Sequence, residues 1–353
     1  MTRWLLGLGA TVIGLAHAAV AVEPYYLIEA EIRELAEAAA EVLDRPVVTV
    51  ADKARSPSGS VNDYVSYARY YWPDPTQPDG LPYIARDGES NHAQVAEGDH
   101  PRIWAFCETV EKLAARWQVE RDEAAARRAG DWLRAWLVTA AIRMNPHLQY
   151  AQIRLGHPVG SGTEFGVLEA RCLAQAVDAL RLLRGSPALS GEEEETIRAW
   201  FGQYLDWLFS MKPVIQSGPG RNNHITWFLA QAIPIARFVG REDDARELAE
   251  EAKHWIGEQI EPDGSQPHEI ARVNAIGYCV FNLEAYARVA RYAAGLGIDL
   301  WAYETPAGAS LNRAMAFLKP FNHAPETAPF PQGAKIEPGF LDALLAEQAR
   351  AQQ

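Results

Sequence analysis

An all-α fold, one domain of stacked helical hairpins arranged as a toroid or bundle, is what the sequence predicts. Three observations predict it: apolar residues recur near a helical period through most of the chain beyond residue 103, the connections between those segments are short, and no stretch alternates convincingly as a strand. A chain of 353 residues that is 48% hydrophobic and holds 11 Trp is long and apolar enough for one large core.

Residues 1–21 read as a signal peptide, with Arg3 as the charged start, an apolar run over 4–15 and small residues at 16–21. That run is shorter than the roughly 20 residues a bilayer span needs, and no later segment reaches that length, so no membrane association is expected once the signal is removed. The remaining 22–353 form the single domain. Residues 24–44 carry Leu27, Ile28, Ile32, Leu35, Ala39 and Leu43 on one helical face. A long irregular stretch follows at 46–101, dense in Pro, Gly, Asp and Ser. Its aromatics, including Tyr64, Tyr67, Tyr70, Tyr71, Trp72 and Tyr83, mark it as a functional loop over a cleft.

Seven helices are predicted next, at 104–117, 122–144, 166–184, 190–211, 223–239, 243–260 and 274–294, with short closing helices at 312–318 and 339–350. Ser190 with Glu193 forms a capping box, so the run Glu192–Glu195 serves helix-start electrostatics. Gly240 suits a helix stop. The linkers 145–166, 212–222 and 261–273 should gather at one end of the hairpins and hold the site there.

A net charge of -13 without a basic run excludes a nucleic-acid-wrapping surface. A polyanionic ligand would need a locally basic or amide-lined cleft. Cys107, Cys172 and Cys279 show neither CxxC spacing nor a His partner and read as buried thiols; no metal or other cofactor is expected.

The chemistry-bearing residues cluster between Arg221 and Tyr286. Asn222 or Asn223 suits the N-cap of the helix running through Ile225, Trp227 and Phe228. His224 then lies in its first turn, where the positive helix end disfavours imidazolium and leaves a neutral ring able to accept a proton. Arg272 and Tyr278 would point roughly 120° apart on one helix at about 100° per residue, so sharing a site requires Arg272 to lie in the turn before the helix, with Asn274 near its cap. Arg272 offers a fork for a carboxylate and Tyr278 a phenol that gives or takes a proton. Elimination from a uronate needs a partner for the carboxylate as charge develops, a base for H5 and an acid for O4. Asn223 and Arg272 suit the first task; His224 and Tyr278 suit the other two. Each of these residues alone also fits an ordinary capping or core role.

The runs Ser58-Gly59-Ser60, Tyr70-Tyr71-Trp72-Pro73, Gly80-Leu81-Pro82-Tyr83, Arg86-Asp87-Gly88-Glu89 and Met144-Asn145-Pro146-His147, the Asn222-Asn223-His224 block, and Glu269-Ile270-Ala271-Arg272 leading to Tyr278 and Asn282 resemble the alginate lyase domain family over about 45–301. The likeness is nearer to polysaccharide lyase family 38 than to family 5. It implies an α/α toroid and metal-free β-elimination on alginate or glucuronan, with Asn223, His224, Arg272 and Tyr278 catalytic. Departures are Ile225, where a small residue is common, and His268. Asn145, His147 and Gln152 in a polar turn, Asn222, and Tyr71 and Trp72 in the aromatic loop are candidate sugar contacts. The expected protein is a periplasmic or secreted monomer that binds an anionic uronate polysaccharide. A glucuronan lyase, a glycoside hydrolase using carboxylates such as Glu269, Asp87 and Glu89, and a non-catalytic polyuronate-binding protein are the alternatives.

Overall fold

The computed structural model describes residues 26–157 and 162–351, so the segment read as a signal peptide lies outside the described residues. The described chain is mostly helical. After α1 (Glu29–Glu37), the chain forms β1 (Val65–Tyr67), β2 (Tyr71–Trp72) and β3 (Ile84–Ala85), then α2 (His92–Glu97), α3 (His100–Glu120) and α4 (Glu123–Leu133). There follow β4 (Tyr150–Ile153), α5 (Leu173–Leu182), α6 (Gly191–Ser217), α7 (Asn223–Phe238), α8 (Glu242–Gln259), the single turn α9 (Pro267–Ile270), α10 (Ala275–Ala294), α11 (Leu311–Leu318) and α12 (Asp342–Ala351).

Packing makes this an open ring. Helices α3, α5, α7 and α10 each touch the next and form the inner wall, while α4, α6 and α8 lie against them outside. The opening between α3 and α10 is bridged by α1, which packs on α3 and whose Glu31, with Glu347 of α12, is held by Arg291 of α10. Nearly all of α7 is buried, from Asn223 to Phe238, as befits a helix at the centre of a two-layer wall.

Capping chemistry sets several boundaries as expected. Ser190 and Glu193 form their reciprocal box at the start of α6, and Gly240 ends α7 at φ 83°. Other expectations need correction. The stretch 46–101 is not simply irregular: β1 pairs in parallel with β4, β2 pairs antiparallel with β3, Asn91 caps α2, and Tyr64 is fully buried. The helix expected at 122–144 stops at Leu133 and widens into a π-turn over Arg134–Val138. There the Trp136 indole donates to the Val48 carbonyl at 2.8 Å, and Arg134 turns away to Glu193 and the Ala188 carbonyl. The helix expected from 166 begins at Leu173, after a 3-10 stretch over Glu164–Leu168. Helix α6 passes through Pro213 to Ser217, which shortens the linker before α7. The three predicted linkers do converge, since Phe165 packs on His224 and Glu269 bonds Asn223. All three cysteines are buried free thiols, and no described helix is long and apolar enough to cross a membrane.

Candidate active site

The site stands where the N-termini of α7 and α10 meet. Asn222 is the N-cap of α7, and its Oδ1 accepts from His224 Nδ1 at 2.6 Å and from the His224 backbone N–H at 3.4 Å. An acceptor on Nδ1 fixes the proton there, so Nε2 carries the free lone pair. Burial, and then the nearby Arg272 charge, push the His224 pKa down to about 3, and the ring is neutral at any physiological pH.

Asn223 faces the other way, into α9. Its backbone N–H donates to Glu269 Oε1 at 2.9 Å, and its amide donates to both Glu269 oxygens at 3.0 Å. Both residues are 1% exposed. Burial pushes the Glu269 pKa up to about 7 despite the hydrogen bonds from Asn223. Glu269 thereby satisfies a donor that the start of α7 would otherwise orphan, and it clamps α9 to α7.

Arg272 lies in the turn between α9 and α10, outside the helix that carries Tyr278, and this resolves the angular problem posed by their spacing. Its Nη2 donates to the Tyr278 hydroxyl at 2.7 Å. Its Nε and Nη2 grip Asp87 at 3.1 and 2.5 Å in a fork-to-carboxylate pair. The Tyr278 hydroxyl in turn donates to Tyr70 at 3.0 Å. Burial, followed by the Tyr70 contact, pushes the Tyr278 pKa up, and the Arg272 charge offsets only part of this.

Beneath these side chains lies a layer of buried amides. Gln259 Oε1 accepts from Thr226 at 3.1 Å, from Asn282 at 3.0 Å and from Tyr286 at 3.0 Å. Its Nε2 donates to the carbonyls of Arg221 and Asn222. Asn282 also bonds Gln266 at 3.0 Å. This network holds the turn that presents Asn222 and His224.

Over the site lies the segment carrying β2 and β3. Tyr70 and Asp87 reach down from it, and Gly88 sits so close that a Cβ there would meet Val273 at 2.5 Å. Tyr71 is linked to the cleft through Arg154, whose Cζ is 5.0 Å from the Tyr71 ring centroid and 5.8 Å from that of Phe165, the ring against His224. Trp72 is held farther out by Glu89 and Arg86. The polar turn is tied inward, with Asn145 donating to Asp63 at 2.7 Å and His147 Nε2 3.3 Å from the same carboxylate; Gln152 lies not in that turn but in β4, and donates to Glu169 at 2.9 Å.

Asn222, Asn223, His224, Arg272 and Tyr278 are thus brought together, while Asn145, His147, Gln152 and Trp72 make structural bonds around them. Sequence reasoning missed Tyr70 and Gln259 as parts of the site; it placed Asp87 and Glu269 in runs resembling the family but gave them a role only as alternative hydrolase carboxylates. Burial leaves no trace at a lone Gln, but the Glu269 to Arg272 spacing is a signal that one turn carries both the clamp and the fork.

The family model for alginate lyase matches residues 47–328. A crystal structure of an alginate lyase from Bacteroides ovatus is similar at 30% identity and TM-score 0.83, covering 91% of this chain and 88% of that one. An alginate lyase A1-III variant complexed with a tetrasaccharide shares the fold at 17% identity and TM-score 0.60, over 94% of this chain and 88% of that one. The A1-III structure from Sphingomonas species A1 does so at 16% and 0.58, over 93% and 88%. No curated protein sequence matches the chain.

Proposed function

The chain belongs to the alginate lyase family and is a polysaccharide lyase; from that premise we propose that it cleaves a β-1,4-linked uronate polymer of the mannuronate type by syn β-elimination carried out by its own side chains. One observation carries the reading: Arg272 already grips a carboxylate, that of Asp87, with the Tyr278 hydroxyl 2.7 Å from the same guanidinium. A substrate uronate that replaces Asp87 on this fork has its carboxylate held and its C5 side turned toward the phenol. The Asn223 amide is spent on Glu269 and holds the turn, so the charge that faces the developing carboxylate comes from Arg272.

The pKa directions assign the proton work. H5 is a weak carbon acid, and a base whose conjugate acid lies near 3 is poorly matched to it, which disfavours His224. Displacing Asp87 removes a charge that raises the Tyr278 pKa and leaves the Arg272 charge that lowers it, so the phenol releases its proton to solvent; the phenolate then takes H5, passes that proton to O4 and ends ionised again. In β-mannuronate and β-glucuronate both atoms lie on one side of the ring, so Tyr278 serves in both roles. The free Nε2 lone pair of His224 orients the hydroxyl-bearing reactants. Glu269 is buried and committed to Asn223, which disfavours the hydrolase reading. The tetrasaccharide complex of the A1-III variant supports an oligosaccharide-binding cleft in this fold. Export to the periplasm or medium, on the evidence of residues 1–21, and a monomeric state belong to the same proposal.

Polymannuronate, polyguluronate and glucuronan presented in parallel test the proposal through the ultraviolet absorbance of the 4,5-unsaturated product. We expect growth on polymannuronate or glucuronan and little on polyguluronate. Folded protein that yields no signal on any of the three sinks it.

A further inference from the structure

The inner wall below the catalytic residues carries charge that the proposed elimination does not use. Arg171, just before α5, is ringed by aromatics: its Cζ lies 4.5 Å from the Trp104 centroid, 5.3 Å from that of Trp227 and 5.4 Å from that of Phe281. Trp227 follows His224 by about one turn of α7, and Phe281 follows Tyr278 likewise on α10. The guanidinium therefore stands roughly 5 Å further along the wall than the reacting pair. Arg288 approaches the same Trp227 ring at 5.7 Å, and Arg69, next to Tyr70 in the chain, reaches His100 at 3.4 Å.

Burial above all lowers the Arg171 pKa; Cys172 and Glu169 oppose that, and Arg69 and Arg288 add to it in smaller measure. Among the described residues none of the three arginines has a carboxylate within ion-pair distance; Arg171 donates to the Leu168 carbonyl at 2.9 Å. The adjacent Glu169 already accepts from Tyr64, His100 and Gln152. Carboxylates act on two of the arginines only at longer range, Glu169 and Glu284 on Arg171 and Glu111 and Glu284 on Arg288. Aromatic faces offset part of the cost of holding these charges but supply no acceptor oxygens. Phe281 also lines a groove of about 450 Å³ with Val280 and Glu284, whose walls include none of the three arginines.

We propose that Arg171, flanked by Arg69 and Arg288, is a second carboxylate subsite that binds the uronate residue next to the one being cleaved, with the face of that sugar against Trp104. The proposal rests on the polyuronate-lyase reading for the identity of the sugar. Its function is to set register: two carboxylates held at once fix which glycosidic bond lies over Tyr278.

Calorimetric binding of a tetrauronate, in a Tyr278→Phe background, tests it. Arg171→Met should weaken binding at least tenfold and flatten its salt dependence, Arg171→Lys should fall between, and Arg288→Gln should cost about threefold. A neutral β-1,4-mannotetraose should bind all of them equally weakly. In the active enzyme Arg171→Met should raise KM about tenfold with a much smaller change in kcat. Should Arg171→Met fail to fold, Arg171→Lys and Arg288→Gln decide. Unchanged tetrauronate affinity in the folded variants overturns the subsite and leaves the lyase reading intact. Arg171-dependent binding without turnover by the otherwise unaltered enzyme overturns the lyase reading and leaves the subsite standing.

Discussion

The floor and the roof of the cleft are built from different materials. The floor is closed to water: Gln259, Asn282, Gln266, Asn223 and Glu269 are each at most 2% exposed, and they satisfy one another across α7, α8, α9 and α10. The roof touches the floor through Tyr70 on Tyr278 and Asp87 on Arg272, and the Asp87 side chain is 41% exposed. Buried amides that bond one another resist rearrangement, whereas a half-exposed ion pair contributes on the order of 0.2–1 kcal/mol. The groups that must hold their geometry during reaction stand on the rigid layer. The groups that must leave for substrate to enter belong to the weak one.

Four experiments break or sharpen this contrast. The largest effect belongs to the reacting group. Tyr278→Phe should lower kcat by roughly 10²–10⁴-fold with tetrauronate affinity kept within a few-fold, as measured by absorbance and calorimetry; a near-normal rate removes Tyr278 from the proton chemistry. Next comes the floor. Gln259→Leu deprives Thr226, Asn282 and Tyr286 of a shared acceptor, and a loss of about 2–4 kcal/mol in urea unfolding is expected together with reduced kcat. Stability within 0.5 kcal/mol of the parent, as a rough threshold for a surface change, contradicts the rigid-floor account.

The third test uses pH. Burial pushes the Glu269 pKa from the ordinary carboxylate value of 4.5 up to about 7 in the fold, so the native state binds the proton more tightly than the unfolded chain. The linked stability is therefore complete below about 4.5 and is lost as pH rises toward about 7, by on the order of 3 kcal/mol at most. Relative to Glu269→Gln, the parent should lose stability between pH 5 and 7. Parallel pH profiles for the two proteins refute the shift. The smallest effect is at the roof. Asp87→Ala frees the Arg272 fork, and KM should fall by up to about fivefold, the equivalent of about 1 kcal/mol for a half-exposed pair; a raised KM shows instead that Asp87 helps to bind substrate.

Much of the floor was legible in the sequence. The period of α7 and α10 is regular, Asn222 stands at a cap position, and the requirement that Arg272 precede the helix carrying Tyr278 follows from rotation per residue alone. The roof was legible only as composition. Asp87 meets Arg272 across 185 residues, and β1 finds its partner β4 far along the chain, and neither pairing leaves a local period to read. The break in the helix expected at 122–144 was hidden for the same reason: apolar periodicity continues through Trp136 and Leu137, and what widens the turn is a distant carbonyl at Val48. Gln259 reads as one polar residue at a helix end, and its role exists only once three helices surround it.

That role has a mechanical side. One oxygen of Gln259 receives hydrogen bonds from α7 and from two positions on α10 while its own backbone belongs to α8. Helices tied at a common point should share their thermal displacements, so His224 on α7 and Tyr278 on α10 are expected to move together. The spread of distances between them is then narrower than the movement of either helix relative to the outer wall.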